Sequence, residues 1–311
     1  MKVAVLGGSG FIGHHLTRCL VEAGETVTVI HRGRTPVRVR SARVATADRH
    51  DQADLTRALA GAAPKVLVDM TAYSARDMEL LLACVPDSLE RLVVISSGDV
   101  YWTYGAFLGL EQGGVPNGPL DETAPLRDQL YPYRAQSRSM ADPLYFYEKI
   151  FVERTAFAGA KVPVTVLRLP MVYGPGDPHK RVGGYLARMS PAVDEVRLNS
   201  AEAAWRCSRG YVEDIAWAIQ LAVTDRHAAG EIFNVGEDPA LTELEWARAI
   251  GGAVGWPGRV VVDPLVAPSL PARWDVSLAV GTRRIREVLR FREPVGREEG
   301  LRRTCASIES R

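Results

Sequence analysis

An apolar run over residues 2–6 breaks into Gly7-Gly8-Ser9-Gly10-Phe11-Ile12-Gly13 and passes straight into a helix-compatible stretch over 11–23. No other feature constrains the chain's fold as strongly. Glycine lacks a Cβ, so the backbone can turn sharply and a ligand can approach it closely. The N-terminus of the helix that follows points free N–H groups at whatever lies over the turn, and a diphosphate suits it. Taken alone, glycines spaced G-x-x-G-x-x-G could equally make only a tight turn. Placed between a strand and a helix, Gly7, Gly10, Phe11, Ile12 and Gly13 are the expected contacts for a dinucleotide.

The pattern downstream supports the same architecture. Residues 2–6, 26–30, 43–45, 66–69, 92–95 and 164–169 read as short buried strands rich in Val, Ile and Leu. Helix-compatible stretches over 11–23, 52–61, 75–84 and 144–159 separate them, an alternation that predicts an α/β, Rossmann-type doubly wound parallel sheet. After Leu169 a run with Pro170, Gly174, Pro175, Gly176 and Pro178 marks a crossing into shorter elements. The expected division is a dinucleotide-binding domain over 1–170, completed by about 206–236 with a helix at 212–223 and a strand at 231–235. Residues 171–205 and 237–311 then form a smaller C-terminal α/β substrate lobe. Ligands of such folds bind in the crevice beyond the strand ends.

Composition narrows the function classes. Lys+Arg 38 against Asp+Glu 37 leaves a formal net charge of +1, with no coherent basic stripe, so neither a nucleic acid nor a membrane partner is expected. Cys19, Cys84, Cys207 and Cys305 are isolated, without CxxC or zinc spacing, so no metal is expected and free thiols in a reducing compartment are. No apolar run is long enough to span a bilayer and no signal-peptide cleavage site follows the first residues, which reads as a cytoplasmic protein.

The end of the second strand bears on the cofactor. NAD sites usually place a carboxylate there to accept the ribose hydroxyls. This chain has His31-Arg32-Gly33-Arg34 instead. Arg32 and Arg34 suit a 2′-phosphate, favouring NADP over NAD, although a solvated basic loop would look the same.

Three further segments follow in order: Val94-Ile95-Ser96-Ser97-Gly98-Asp99-Val100-Tyr101, then Tyr145-Phe146-Tyr147-Glu148-Lys149, then Leu167-Arg168-Leu169-Pro170-Met171-Val172-Tyr173-Gly174. Together with the glycine turn, and with Tyr211-Val212-Glu213-Asp214 and Phe233-Asn234-Val235-Gly236 beyond, the chain resembles the extended short-chain dehydrogenase/reductase family of NAD(P)-dependent nucleotide-sugar epimerases and dehydratases. The resemblance covers nearly the whole chain. It implies that Ser97, Tyr145 and Lys149 are catalytic and that Asp48 meets adenine, where a plain loop carboxylate would serve as well.

The chemistry expected of the triad is intelligible from the residues. Tyr145 and Lys149 would share one helix face, and an ammonium beside a phenol favours phenolate. Tyr145 could then take the hydroxyl proton while hydride leaves the same carbon for nicotinamide. Ser97 would orient the reacting oxygen and Lys149 would also hold the nicotinamide ribose. Tyr147 is set aside because the Tyr-x-x-x-Lys spacing selects Tyr145.

Departures from the family pattern bear on the reaction. Gly98 stands at the position of the dehydratase acid, which argues against ordinary dehydration. Asp99 falls at the family's base position and is a possible acid/base, or else caps the following turn. The stretch between Ser97 and Tyr145 is longer than usual and holds Trp102, Tyr104, Tyr131 and Tyr133 with Arg127, Arg134 and Arg138. It could form a substrate-covering lid, with Trp102 a substrate contact, or an insertion packed on the lobe or a neighbouring subunit. The resemblance also implies a diphosphate-pairing arginine, either Arg206 or Arg209, both of which could instead be solvated. It further implies a homodimer built on helices 75–84 and 144–159. Arg290 replaces a customary glycine near the C-terminus. The leading expectation is an epimerase working on a nucleotide sugar through a transient keto intermediate. A net keto-sugar reductase, dehydrogenase or dehydratase is the alternative, and a non-catalytic NADP-sensing protein the rival from another class. The base, the sugar and the carbon are not legible.

Overall fold

The computed structural model describes residues 1–114 and 118–309. The first half alternates β1 (Lys2–Leu6), α1 (Phe11–Glu22), β2 (Thr26–His31), β3 (Arg43–Thr46), α2 (Gln52–Ala62), β4 (Val66–Asp69), α3 (Ala75–Cys84) and β5 (Arg91–Ser97). A short helix α4 (Trp102–Phe107) opens the long insertion, which ends at α5 (Lys149–Gly159), β6 (Val164–Leu169) and β7 (Met171–Tyr173). Then come α6 (Gly183–Leu186), β8 (Glu195–Leu198), α7 (Ser200–Ala204), β9 (Arg206–Cys207), β10 (Arg209–Tyr211) and α8 (Val212–Thr224). The chain closes with β11 (Ile232–Asn234), β12 (Leu241–Thr242), α9 (Glu243–Ala253), β13 (Arg259–Val262), α10 (Arg283–Val288) and α11 (Arg297–Glu309).

Seven strands form one sheet in the order β11-β6-β5-β4-β1-β2-β3, and every pairing is parallel. The period-2 alternation of side chains explains why its strands are apolar on both faces. Val3, Val5, Val27, Val29, Val93 and Ile95 pack with Leu16 and Leu20 of α1 and Ile215 and Ile219 of α8. Their neighbours Ala4, Leu6, Ile30, Leu92 and Val94 pack on the other face with Leu55 of α2, Leu81 of α3 and Val152 of α5. Each such buried aliphatic side chain contributes roughly 1.5–3 kcal/mol of burial, which binds the helices to both faces. The strand at 231–235 joins this sheet beside β6 as anticipated. The remaining strands make three two-stranded pairs, β7–β10, β8–β13 and β9–β12.

One expected element is shorter than the sequence pattern suggested. The stretch 144–159 is helical only from Lys149, and α5 is capped by Glu148 in an extended conformation, with its carboxylate accepting the Ile150 N–H. Upstream, Asp142 accepts the Leu144 N–H through its side chain and the Tyr145 N–H through its carbonyl, so the chain turns instead of coiling. Glu148 is wholly buried against Arg127, at 2.9 Å, and also accepts the Tyr131 N–H at 2.7 Å. The insertion therefore holds the start of α5 where it is. Arg290 sits at φ +54°, the left-handed conformation that accounts for a glycine preference there.

Candidate active site

The glycine turn forms one wall of a cleft of about 590 Å³ beyond the ends of β1, β2 and β4. Gly7 lies at φ +88°, and a Cβ there would come within 2.4 Å of Thr71 Cγ2. A Cβ on Gly13 would meet the Gly7 carbonyl oxygen at 2.4 Å, so α1 can seat this close to the turn only without one. On Gly10 a Cβ would touch only the Gly7 carbonyl, at 3.4 Å, and would stand in the cleft. No side chain caps α1 and no acidic residue occupies its first turn, leaving its positive end to a ligand. Arg32 and Arg34 line the cleft and are exposed. Asp48 does not line it; its carboxylate accepts the His50 N–H, while Arg49 and His50 form the wall. The Arg49 guanidinium ties the end of β4 through Asp69 at 2.9 and 3.1 Å.

A second, smaller cavity of about 160 Å³ opens at the ends of β5 and β6, lined by Ser97, Asp99, Tyr104, Tyr133, Arg168 and Pro170 among others. Asp99 is 5% exposed. Its Oδ2 accepts the phenol of Tyr147 at 2.8 Å and that of Tyr133 at 3.0 Å, whereas its Oδ1 is buried with no hydrogen-bond partner among the described residues. The Tyr133 phenol also bonds that of Tyr104 at 2.9 Å. Burial pushes the Asp99 carboxyl above its usual range, against the lowering effect of the phenols, Arg127 and Lys149. Burial, then the Asp99 charge, pushes Tyr133 and Tyr147 far upward and Tyr104 to about 12, so all three phenols stay protonated donors. Arg168 is neutralised in the wall by Glu153 at 2.7 Å. The Lys149 ammonium, brought down to about 8 by burial, bonds the carbonyls of Ala72 and Ile95 at 2.7 and 2.8 Å. It lies 5.2 Å from the ring centre of Tyr73, a cleft-lining residue.

A third cavity of about 320 Å³ shares Met171 and Arg181 with the second. Its aromatic wall has Phe107 stacked on Trp205 at 5.0 Å with Trp274 edge-on to both, and arginines 181, 188, 197 and 209 line it.

A family model described as the NAD dependent epimerase/dehydratase family matches residues 3–236. The chain belongs to that family. It is thus an enzyme of the extended short-chain dehydrogenase/reductase kind, and its epimerase/dehydratase-family fold is shared with the UDP-glucose 4-epimerase of Thermus thermophilus, solved as a complex with NAD. That structure superposes with a TM-score of 0.70 at 24% identity and 99% coverage of both chains. Among curated proteins, the 2'-dehydrokanamycin reductase of Streptomyces kanamyceticus is 25% identical, covering 88% of this chain and 70% of that protein. The chloroplast stem-loop binding protein of 41 kDa b of Arabidopsis thaliana is 23% identical over 84% of this chain, which spans 65% of that relative's length.

Against this family's pattern the site residues fall as follows. Ser97 and Asp99 share the small cavity. Tyr145 departs from expectation: because α5 starts at Lys149, the two residues do not share a helix face, and the Tyr145 ring packs against the Arg134 guanidinium, 4.9 Å from its centre, and Phe146. The phenols that reach Asp99 are those of Tyr133 and of Tyr147, the residue the spacing set aside. Asp99 does not cap the turn after it; the Ser97 hydroxyl accepts the Asp99 N–H and does so. Trp102 packs behind Phe107 and Trp205 and does not line the aromatic cavity. Arg206 bonds the Ala240 carbonyl and faces Glu245, outside the cavity; Arg209 lines it but is paired with Glu243. The insertion reaches two regions, with Tyr104 and Tyr133 lining the small cavity at Ser97 and later residues lining the cleft at the glycine turn. Met140, Pro143 and Phe146 line the cleft at the glycine turn, and residues 115–117 lie outside the described part. Sequence reasoning placed Tyr133 in the insertion without its bond to Asp99, and missed Arg181. The signal available was Asp142-Pro143 before Tyr145, a turn-forming pair that interrupts the assumed helical register.

Proposed function

We propose that this enzyme carries out nicotinamide-dependent redox chemistry at a hydroxyl- or keto-bearing carbon of a nucleotide-linked sugar. The cleft at the glycine turn and two adjoining cavities beyond it support the reading, and the sharing of Met171 and Arg181 between the crevice at Ser97 and the aromatic cavity carries it. A base can stack on the aromatic wall and a diphosphate can meet Arg181, which would place the sugar in the crevice. Gly7, Gly10 and Gly13 with the α1 N-terminus would hold the dinucleotide diphosphate, and Arg32 and Arg34 would favour NADP. The bound nicotinamide would supply a two-electron acceptor. Lys149, anchored on Ala72 and Ile95, would position the adjoining ribose.

The reaction proposed is epimerisation through a transient keto sugar. A net keto-sugar reductase uses the same groups; the exposed Arg32 and Arg34 at the cleft, which suit an exchangeable phosphorylated dinucleotide, favour this second reading. Dinucleotide content of the purified enzyme, followed by incubation with a panel of nucleotide sugars, tests both. Tightly held dinucleotide with appearance of an epimer and no net NAD(P)H is expected for the first. An empty enzyme that consumes NADPH with a keto sugar establishes the second. An enzyme that is purified empty and then binds neither dinucleotide in calorimetric titration would overturn both.

A further inference from the structure

We propose that the insertion completes the dinucleotide site. Residues 133–147 form a strap whose tip, Met140 with Pro143 and Phe146, packs on the bound dinucleotide, and whose two feet, Tyr133 and Tyr147, are fastened to one carboxylate oxygen of Asp99. The inference rests on the dinucleotide half of the reading above and not on the sugar.

The occupant follows from what the tip shares its cleft with. Gly7, Gly10, Arg32 and Arg34 line the same space, and their chemistry is that of a phosphate-bearing ligand. Met140 is nevertheless 65% exposed and Phe146 45%, and the half-exposed Tyr73 lines the cleft with them. Large apolar side chains left in water beside a phosphate-binding turn gain by covering a flat ring, and a dinucleotide supplies both phosphates and rings.

The strap is firm at its root and loose at its tip. Asp99 Oδ2 accepts the Tyr133 phenol at 3.0 Å and the Tyr147 phenol at 2.8 Å, and the two rings meet edge-on with centres 5.1 Å apart. Between the feet, the Arg134 guanidinium donates to the Tyr145 carbonyl at 3.2 Å and lies 4.9 Å from the centre of that ring, which ties one limb to the other. The hydrogen bonds of the tip among the described residues are local: Ser139 Oγ accepts the Ala141 N–H and the Asp142 carboxylate accepts that of Leu144. An apolar tip already placed at the cleft by a rigid root loses little freedom when it closes on a ligand. Asp99 is in this respect a positioning residue, and its burial behind the phenols suits that task. The glycine turn holds the dinucleotide, and the strap slows its departure.

Release of a reduced dinucleotide tests this without any sugar. The enzyme is loaded with NADPH, or with NADH if only that binds, and displacement by the oxidised form is followed by fluorescence in stopped flow. Because both side chains are exposed in the free protein, Met140→Ser/Phe146→Ser keeps the fold and is expected to speed release roughly tenfold. Leu265→Ser, at a 94% exposed leucine that does not line the cleft, should leave release unchanged. Tyr133→Phe removes one foot and should speed release about threefold. Combined with the tip substitutions it should add nothing, since the strap it steadies no longer holds. Bound dinucleotide should also slow tryptic cleavage after the exposed Arg138 in the wild type, and lose that protection in the tip variant at equal saturation. Wild-type release from the tip variant, or cleavage after Arg138 that ignores bound dinucleotide, overturns the strap and leaves the cofactor reading standing. A Tyr133→Phe effect that persists undiminished in the tip variant overturns the fastening at Asp99. An enzyme that binds neither dinucleotide loses the cofactor reading and the strap together.

Discussion

The cleft at the glycine turn and the crevice at Ser97 both lie beyond strand ends of one parallel sheet, yet they are constructed from different ranges of sequence. The floor of the cleft is a single uninterrupted turn, Gly7 to Gly13, whose shape is dictated by backbone sterics: methyl groups at two positions would strike neighbouring atoms at 2.4 Å. The crevice is assembled from β5, β6, the insertion and the residues before α5, and its buried Asp99 carboxylate is held by phenols 34 and 48 positions away in sequence. A local site depends on what is absent, side chains at the turn. A non-local one depends on long-range ion pairs and hydrogen bonds that keep distant segments in register. The two should therefore fail separately.

The largest separation is expected from Arg127→Ala. Arg127 and Glu148 are both fully buried at the side chain, and their pair joins the insertion to the cap of α5. Removing the cation leaves Glu148 uncompensated, and loss of one partner of a buried pair costs about 3–5 kcal/mol. Urea unfolding should show that loss, and Glu148→Gln in the Arg127→Ala background should recover part of it. On the protein that remains folded, dinucleotide affinity should fall by less than about tenfold. A cost below about 1 kcal/mol would mean the insertion is held by something other than this pair.

Gly13→Ala tests the converse. The added methyl meets the backbone of Gly7 and Gly8, at 2.4 and 2.8 Å, and no flexible side chain can yield. Either α1 or the turn must shift, and the diphosphate contacts shift with it. Dinucleotide affinity should drop at least about 100-fold, near 3 kcal/mol, while the titration of Asp99 stays at its wild-type position. Joint loss of both would show that the cleft and crevice are one cooperative unit.

This contrast also explains what could be read before any coordinates. Strand positions, the doubly wound sheet and the glycine turn follow from periodicities and from residues adjacent in sequence, so they were legible. The place of Ser97 at the end of β5 was as well. The Tyr145–Lys149 relation assumed four residues of continuous helix, and that assumption failed at Asp142-Pro143 and at the buried Glu148 cap, whose partner Arg127 lies 21 positions away. Nothing in local pattern announces such a partner. Arg206 and Arg209 were inseparable by spacing for a related reason. Which of them faces the aromatic cavity depends on the separate pairings of β9 with β12 and of β10 with β7.

The smallest effect concerns the one feature of the cleft that spacing cannot decide. Arg32 and Arg34 line it but are exposed, so their attraction for a 2′-phosphate works through water and is weakened by salt. Replacing both with alanine should lower NADP affinity by roughly tenfold, about 1.4 kcal/mol, and leave NAD affinity nearly unchanged. The difference should shrink as ionic strength rises, because screened charge and not buried geometry is its source. Calorimetric titration with each dinucleotide at low and high salt reads this directly. Equal losses for NADP and NAD would place the arginines against the shared adenosine or diphosphate, and an unchanged NADP affinity would make them a solvated loop.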